Sequence, residues 1–275
     1  MQLNHRQALQ SAQTLGLDRL DAQLLLLHTL GKQDTDRAWL LAHDADPLAD
    51  AAADAFRALS LRRASGEPLA YLVGYKEFFG LRFAVDKRVL VPRPDTETLV
   101  QWALDVLRAS QIDCPRVLDL GTGSGAVAIA IARNTTCTLV AVDASEDALA
   151  VASLNAAQLG ADVAFRQSNW LDDVKGSFHC IASNPPYIAD GDAHLAALKH
   201  EPLGALCAGA DGLDDIRAIV RDAPGSLHPG GWLLLEHGYD QDGAVRDLLT
   251  ERGFAQVQSR QDLAGIARCS GGQWL

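Results

Sequence analysis

Asn184-Pro185-Pro186-Tyr187 follows a short apolar run, His179-Cys180-Ile181-Ala182-Ser183, that reads as a strand. Asn184 therefore stands where a strand ends and the chain turns. Two consecutive prolines lack N–H groups, which leaves their carbonyls as acceptors in a stiff turn. An asparagine side chain accepts through its oxygen and donates through its nitrogen. The Asn184 oxygen and the Pro185 carbonyl together could grip both hydrogens of a planar –NH2 group, with the flat face of Tyr187 packed beside it. That arrangement suits chemistry on the nitrogen. The plainer reading is a loop marked by a Pro-Pro dipeptide and capped by an asparagine, and what favours chemistry is a second motif upstream.

There, Val117-Leu118-Asp119-Leu120 runs straight into Gly121-Thr122-Gly123-Ser124-Gly125, and Ala126 to Ala132 follows as a helix rich in Ala and Ile. Glycine admits positive φ and lets a ligand approach the backbone closely. A further strand, Thr138 to Val142, ends in Asp143, whose carboxylate suits the two hydroxyls of a ribose. Strand, glycine turn, helix, strand and terminal acid make an adenosine-type pocket at the carboxyl end of a parallel sheet. Gly121, Thr122, Gly123, Ser124, Gly125 and Asp143 are thus candidate cofactor contacts. Asp119 could reach the ligand's amino group or bond the loop's own amides, and the second role is favoured. Gly121-x-Gly123-x-x-Ala126 with Asp143 downstream also fits a dinucleotide fingerprint. The glycine loop alone does not separate a nicotinamide dehydrogenase from a methyltransferase. Asp119 before the loop and Asn184-Pro185-Pro186-Tyr187 after a later strand favour the methyltransferase, and no residue pair suits hydride transfer.

The glycine loop, Asp143 and Asn184-Pro185-Pro186-Tyr187 together resemble a class I S-adenosylmethionine-dependent methyltransferase acting on amino groups. Pro92-Arg93-Pro94-Asp95-Thr96-Glu97 and Tyr75-Lys76-Glu77-Phe78-Phe79-Gly80 narrow the likeness, being similar to segments of the HemK/PrmC family. So are Glu201-Pro202, Asp211-Gly212-Leu213-Asp214 and Leu235-Glu236-His237-Gly238. The likeness is strongest from about Gly66 to Gly271. It implies a Rossmann-like seven-stranded sheet, S-adenosylmethionine as cofactor and class 1 peptide chain release factors as protein partners. The implied reaction is methylation of a glutamine side-chain amide in those factors. Asn184, Pro185, Pro186 and Tyr187 would be the catalytic and substrate-binding residues, with Asn184 also beside the cofactor. The position of Trp170 flanks the adenine in the family, though core packing would explain it as well. Arg93 and Thr96 resemble residues near the cofactor or the cleft, while helix capping suffices for Thr96. A helical N-terminal domain would dock the protein substrate. A ribosomal-protein glutamine methyltransferase shares these motifs, a nucleic-acid amino-methyltransferase uses a similar tetrapeptide, and a non-catalytic module that kept the pocket is a third alternative.

Composition bounds the rest. The chain of 275 residues is long enough for one large domain or two smaller ones. Its formal net charge of −11 disfavours unaided binding to a phosphate backbone, so no nucleic-acid partner is expected. Cys114, Cys137, Cys180, Cys207 and Cys269 are scattered and odd in number, which reads as a reducing compartment without a disulfide framework. The opening Met1-Gln2-Leu3-Asn4-His5-Arg6 has no apolar signal core. No apolar run is long enough to span a bilayer, so a cytoplasmic protein with no membrane partner is expected. The histidines have no metal spacing, and no metal is expected.

These residues need elements to position them. Residues 1–65 read as a small helical bundle, with Leu15, Leu17, Leu20, Leu24, Leu25 and Leu27 as an apolar stripe and Asp18 and Asp21 near a helix start. A short helix follows Asp34-Thr35, and a longer one begins at Pro47 and ends near Arg63. Residues 66–90 read as a connector, built on a hairpin in which residues 76–85 alternate around Gly80. Residues 91–275 form the catalytic domain, opening on a helix capped by Asp95 or Thr96 and running to about Leu107. Strands are expected near 116–120, 138–142, 162–167, 179–183, 231–236, 254–260 and 266–270, the last antiparallel by resemblance. Helices fall between, including Ser145 to Leu159, Leu213 to Leu227 and Gln241 to Arg252, which makes an α/β fold with helices on both faces. Gly271-Gly272-Gln273 repeats the tripeptide that release factors carry as methylation target, and is expected to form only a terminal turn.

Overall fold

The computed structural model describes residues 3–275, so Met1 and Gln2 of the expected signal-free start lie outside the described residues. The chain divides into two units, one up to Tyr75 and one from Lys76 to Leu275.

The first unit is helical: α1 (His5–Thr14), α2 (Arg19–Thr29), α3 (Arg37–Ala42), α4 (Asp50–Ala64) and α5 (Leu69–Val73). Asn4 and Gln7 form a reciprocal capping box at the start of α1. The Asp18 side chain accepts from Asp21 N at 2.9 Å and starts α2 as its spacing predicts. Gly16, at φ 90°, separates the two helices, and the leucines split with it. Leu17, Leu25, Leu26 and Leu27 are buried with Leu40, Phe56 and Leu72, whereas Leu15 and Leu20 are exposed. Pro47 does not begin a helix. It bridges to Asn4 in extended conformation, and α4 starts at Asp50. The sequence pattern also missed α5, which follows Pro68.

The second unit opens with the hairpin β1 (Tyr75–Phe78) and β2 (Leu81–Ala84). Phe79 and Gly80 both take positive φ, 51° and 74°, as a two-residue turn matched to strand twist requires. Then come α6 (Glu97–Ala109), β3 (Arg116–Leu120), α7 (Ala126–Asn134), β4 (Thr138–Asp143), α8 (Glu146–Leu159), β5 (Ala164–Gln167) and β6 (Phe178–Ser183). The chain finishes with α9 (Asp214–Asp222), β7 (Leu227–Glu236), α10 (Asp242–Arg252), β8 (Ala255–Gln261) and β9 (Ala267–Gln273). The helix expected to reach Leu227 ends at Asp222, where Pro224, without an N–H, converts the chain to a short 3-10 turn. β7 begins earlier than expected, with a register irregularity before Trp232.

The sheet order is β5-β4-β3-β6-β7-β9-β8. The first five strands in that order are parallel, and β9 runs antiparallel between β7 and β8. Leu118, Leu120, Val140 and Val142 pack with Ile216, Ile219 and Val220 of α9 and Val245 and Leu249 of α10. Alternate residues of β3, Val117 and Asp119, are buried on the opposite face. Burial on both faces explains the continuous apolar runs of the parallel strands. The strand order reverses between β3 and β6, which places a crevice at their carboxyl ends.

Gly271-Gly272-Gln273 is not a terminal turn. All three residues are paired in β9, and a Cβ on Gly271 would lie 2.6 Å from Leu233 O. The Gln273 amide donates to Gly230 O and accepts from Gln256. Because β9 is antiparallel to β7, Gln273 pairs with Trp232 in the middle of β7, while Cys269 pairs with Glu236 at its end.

One buried side chain ties the hairpin to the glycine loop. Asn155 of α8 is fully buried; its Oδ1 accepts from Ala84 N at 2.7 Å, and its Nδ2 donates to Ala84 O at 3.0 Å and Ser124 O at 2.9 Å. It thus pairs with the end of β2 as a neighbouring strand would. Asn155→Ala removes three hydrogen bonds made by a buried side chain and leaves the partly buried Ala84 amide without this partner, so unfolding free energy should fall by roughly 2–4 kcal/mol. Denaturant titration checks this, and an unchanged midpoint would show that the bridge carries no stability.

Candidate active site

The glycine loop is folded back on the sheet by one carbonyl. Val142 O accepts from both Gly121 N and Thr122 N, each at 2.9 Å. Gly121 has φ 70°, and a Cβ there would sit 3.1 Å from the Trp170 ring. Gly125 has φ 82° and faces Ile129 and Ala152, where a Cβ would come within 2.8 Å of Ile129 Cδ1. Gly121, Thr122, Gly123 and Ser124 line a cleft of 380 Å³, whereas Gly125 serves helix packing and does not line it.

Asp119 is buried beneath the loop. Its Oδ2 accepts from Thr122 Oγ1 at 2.7 Å and Ala128 N at 3.2 Å, so it joins loop to helix through a loop hydroxyl and a helix amide, not through the loop amides expected of it, and it also lines the cleft. Burial pushes its carboxyl up to about 7, against the pull of these two donors, and nearby Asp143 adds to the rise. Asp143, at the end of β4, accepts from Gly123 N through Oδ2 and from Ser145 N through Oδ1, each at 2.9 Å. Each carboxylate oxygen retains a second lone pair for a ligand hydroxyl on the cleft side.

Trp170 lies across the cleft wall. Its backbone holds a positive φ of 48°, and its Nε1 donates to Asp215 Oδ1 at 3.0 Å. A bulky residue in the left-handed region needs its surroundings to hold it there, and the indole bond to Asp215 and the Ser168 hydroxyl donated to the Trp170 carbonyl at 3.0 Å do so. Burial raises the Asp215 carboxyl, and the bond from Trp170 opposes that rise.

At the end of β6, Ser183 Oγ donates to Leu120 O at 2.7 Å and fastens this strand end to the glycine turn. Asn184 then lines the cleft, its Nδ2 donating to Thr96 Oγ1 at 3.2 Å. The capping expectation for Thr96 fails: its side chain makes no cap hydrogen bond to α6 and is turned to Asn184. Pro185 and Pro186 are buried, and of the two only Pro186 lines the cleft. Tyr187 is not a lining residue. Its carbonyl accepts from Gln241 Nε2 at 3.0 Å, and its hydroxyl donates to Glu236 Oε1 at 3.4 Å. Burial and the adjacent Glu236 raise the Tyr187 phenol well above its ordinary range, so it stays neutral. On the far wall Arg93 pairs with buried Glu201 at 2.5 Å, and Glu201 also accepts from Val91 N. That pair joins the Pro92-Arg93 segment to the Pro202-Gly204-Ala205 segment, and both line the cleft.

Sequence reasoning missed Asp215 and Glu236 as site residues and gave Glu201 no role. Asp215 falls in the first turn of α9, where an acid is favoured by the helix dipole whatever else it does. Glu236 ends an apolar strand as Asp143 does, a signal that could have found it. Among the described residues, no cluster of three or more His, Cys, Asp or Glu could hold a metal, and no helix is long and apolar enough to cross a membrane.

Residues 4–74 match the family described as PrmC N-terminal domain, and residues 100–201 the methyltransferase small domain. The release factor glutamine methyltransferase of Bordetella pertussis is 50% identical over 262 residues, covering 94% of this chain and 95% of that protein. The chain belongs to the release factor glutamine methyltransferase family. The family member from Xylella fastidiosa strain Temecula1 is 47% identical over 274 residues, covering 96% of this chain and 98% of its own. The fold recurs in a methyltransferase from Pyrococcus furiosus, at 20% identity and a TM-score of 0.55, over 78% of this chain and 98% of that one.

The cofactor of this methyltransferase family is S-adenosylmethionine, and the cleft fits it. Its volume lies within the range of small-molecule sites. Asp143 offers a carboxylate for a ribose diol, Gly121 leaves room where a side chain would collide with Trp170, and the amino end of α7 opens beside the loop. Asp143→Ala should weaken S-adenosylmethionine binding by roughly 1–3 kcal/mol, the worth of hydrogen bonds to a charged acceptor. Titration calorimetry reads this directly, and equal affinity in variant and parent would take Asp143 out of the binding site.

Proposed function

We propose that this chain transfers a methyl group from S-adenosylmethionine to the side-chain amide nitrogen of the glutamine in the Gly-Gly-Gln motif of class 1 peptide chain release factors. Nearly full-length membership of the family supports the reaction class. The observation that carries the chemistry is the Asn184–Thr96 hydrogen bond. With Nδ2 engaged by Thr96, Oδ1 is the part of the Asn184 amide left to accept from a substrate –NH2.

When bound, S-adenosylmethionine supplies an electrophilic methyl carried on a sulfonium sulfur. An amide nitrogen is a poor nucleophile because its lone pair is delocalised into the carbonyl. In this reading Asn184 Oδ1 would hold one amide hydrogen and the carbonyl of Pro185, which does not line the cleft in this structure, would hold the other, so that positioning supplies most of the acceleration. The same two dipoles stabilise positive charge as it grows on nitrogen. Transfer of that methyl to the held nitrogen would leave the sulfur as a neutral thioether. The amide proton, acidic once nitrogen is alkylated, then leaves to solvent, so no dedicated base is needed. Buried Pro185 and Pro186 make the turn stiff, and Gln241 holds the Tyr187 carbonyl behind it.

The helical unit, which matches the PrmC N-terminal domain, docks the protein substrate in this reading. The cytoplasm is the proposed compartment, supported by free Cys114, Cys137, Cys180, Cys207 and Cys269 and by a partner that acts in translation.

Incubation with labelled cofactor and purified release factors, followed by mass spectrometry, should place a single methyl on the Gly-Gly-Gln glutamine. A glutamate in its place should abolish the signal. Methylation of ribosomal protein or nucleic acid instead of the release factor would defeat this reading.

Asn184→Ala should lower turnover on saturating release factor by about two to three orders of magnitude, the scale of deleting one preorganised catalytic group, while cofactor affinity changes little. Near-normal turnover would reduce the tetrapeptide to a structural turn.

A further inference from the structure

Asp215 is the second residue of α9 and lines the cofactor cleft together with Trp170. Its Oδ1 accepts from the Trp170 indole at 3.0 Å, and among the described residues nothing donates to its Oδ2. The neighbouring polar side chains of the cleft wall are committed elsewhere. Ser168 Oγ donates to Trp170 O at 3.0 Å and accepts from Asp173 N at 3.1 Å. Ser145 Oγ accepts from Ala148 N at 3.2 Å. Asn169 is exposed, and its Nδ2 donates to Asp172 Oδ2 at 3.1 Å, which leaves Asn169 Oδ1 as the rival side-chain acceptor.

The start of α9 is a fixed point. Gly212, at φ 73°, packs directly on the Tyr187 carbonyl, where a Cβ would collide. Gln241 Nε2 donates to Tyr187 O at 3.0 Å and to Asp211 O at 3.2 Å, fastening the same turn from the other side. Asp215 follows within the next helical turn, and the indole bond removes the remaining freedom of its carboxylate. A group held this way keeps one direction, which is what recognition of a single ligand atom needs.

An ionised carboxylate only accepts hydrogen bonds. The adenine of the cofactor carries an exocyclic –NH2 group, a double donor. Its deaminated counterpart, hypoxanthine, carries a carbonyl oxygen at the same ring position, and that oxygen only accepts. We propose that Asp215 is a specificity-determining residue for the cofactor base: with Oδ1 held by Trp170, its Oδ2 accepts from the exocyclic amino group and selects an amino purine over an oxo purine. Trp170 and Asp215 then work as one hydrogen-bonded pair, the ring forming a wall of the cleft and the carboxylate reading the edge of the base. A site built to accept from an –NH2 group rejects a ligand that lacks it, because its own acceptor is left unpaired.

The test is ligand binding to the full chain. Titration calorimetry compares S-adenosylhomocysteine with its deaminated form, S-inosylhomocysteine. The parent should bind the adenine ligand about 10- to 100-fold more tightly, the worth of one hydrogen bond to a charged acceptor. Asp215→Asn keeps an oxygen for the indole and turns an –NH2 group to the base, so the preference should vanish or reverse. A residue that only supports the fold would weaken both ligands alike and leave their ratio unchanged. If Asp215→Asn does not fold, Asp215→Ala carries the same test, since it removes the acceptor and should also erase the preference. Asn169→Ala should keep the parental ratio. Equal binding of the two ligands by the parent, a parental ratio in the Asp215 variant, or loss of the preference in Asn169→Ala would overturn the assignment. No arm uses release factor, so failure of the proposed reaction and failure of this assignment are separately visible.

Discussion

The hydrogen bond from Ser183 Oγ to the carbonyl of Leu120 joins the ends of two parallel strands at the point where the strand order reverses. Beside it, the Val142 carbonyl takes two amides of the glycine turn. Three strand ends are held together this way, and each then releases one functional element. β3 yields the glycine loop, β4 yields Asp143 and β6 yields Asn184. A parallel sheet brings all its carboxyl ends to one edge, so residues far apart in the chain can share one cleft without long loops. Sliding β6 by one residue would turn the Ser183 hydroxyl away and displace Asn184 from the loop.

Acids at this edge do different work according to burial. Asp143 is partly open and can take hydroxyls while holding its own loop. Asp119 and Glu236 are buried, and both are raised to about 7 chiefly by loss of solvent. An acid whose folded pKa lies above its unfolded value binds more protons when folded. Each therefore lowers stability as pH rises from about 4 to about 7. That cost accompanies the bonds each makes: Asp119 holds Thr122 and Ala128, and Glu236 accepts from the Tyr187 hydroxyl.

Much of the site is legible as linear pattern because its chemistry is local. Gly121 to Ser124 need backbone freedom within one turn, Asp143 needs only to end a strand, and the two prolines stiffen the turn they occupy. The α/β alternation is equally local, since parallel strands are apolar runs and helices carry their own caps. Departures arise where distant chain decides. Thr96 has the sequence context of a cap but spends its hydroxyl on Asn184. Gly271-Gly272-Gln273 resembles a turn but is pulled into β9 because β7 and β8 pair with it on either side. Asn155 lies in an unremarkable helical segment, and its three hydrogen bonds reach Ala84 and Ser124.

By itself the sequence determined the fold class, the glycine loop, the acid after β4, the tetrapeptide and the family they resemble. Those features depend on residue types at fixed short spacings, which the chain carries whatever its tertiary context. Only the tertiary structure decided which way each polar group faces. It turns the Asn184 nitrogen to Thr96, the Tyr187 hydroxyl to Glu236 and the Trp170 indole to Asp215. It also moves Gly125 out of the cleft and into the packing of α7 on α8. The reason is physical. A buried donor or acceptor must find its partner across the core, and neither the distance nor the direction of that partner is written in neighbouring residues.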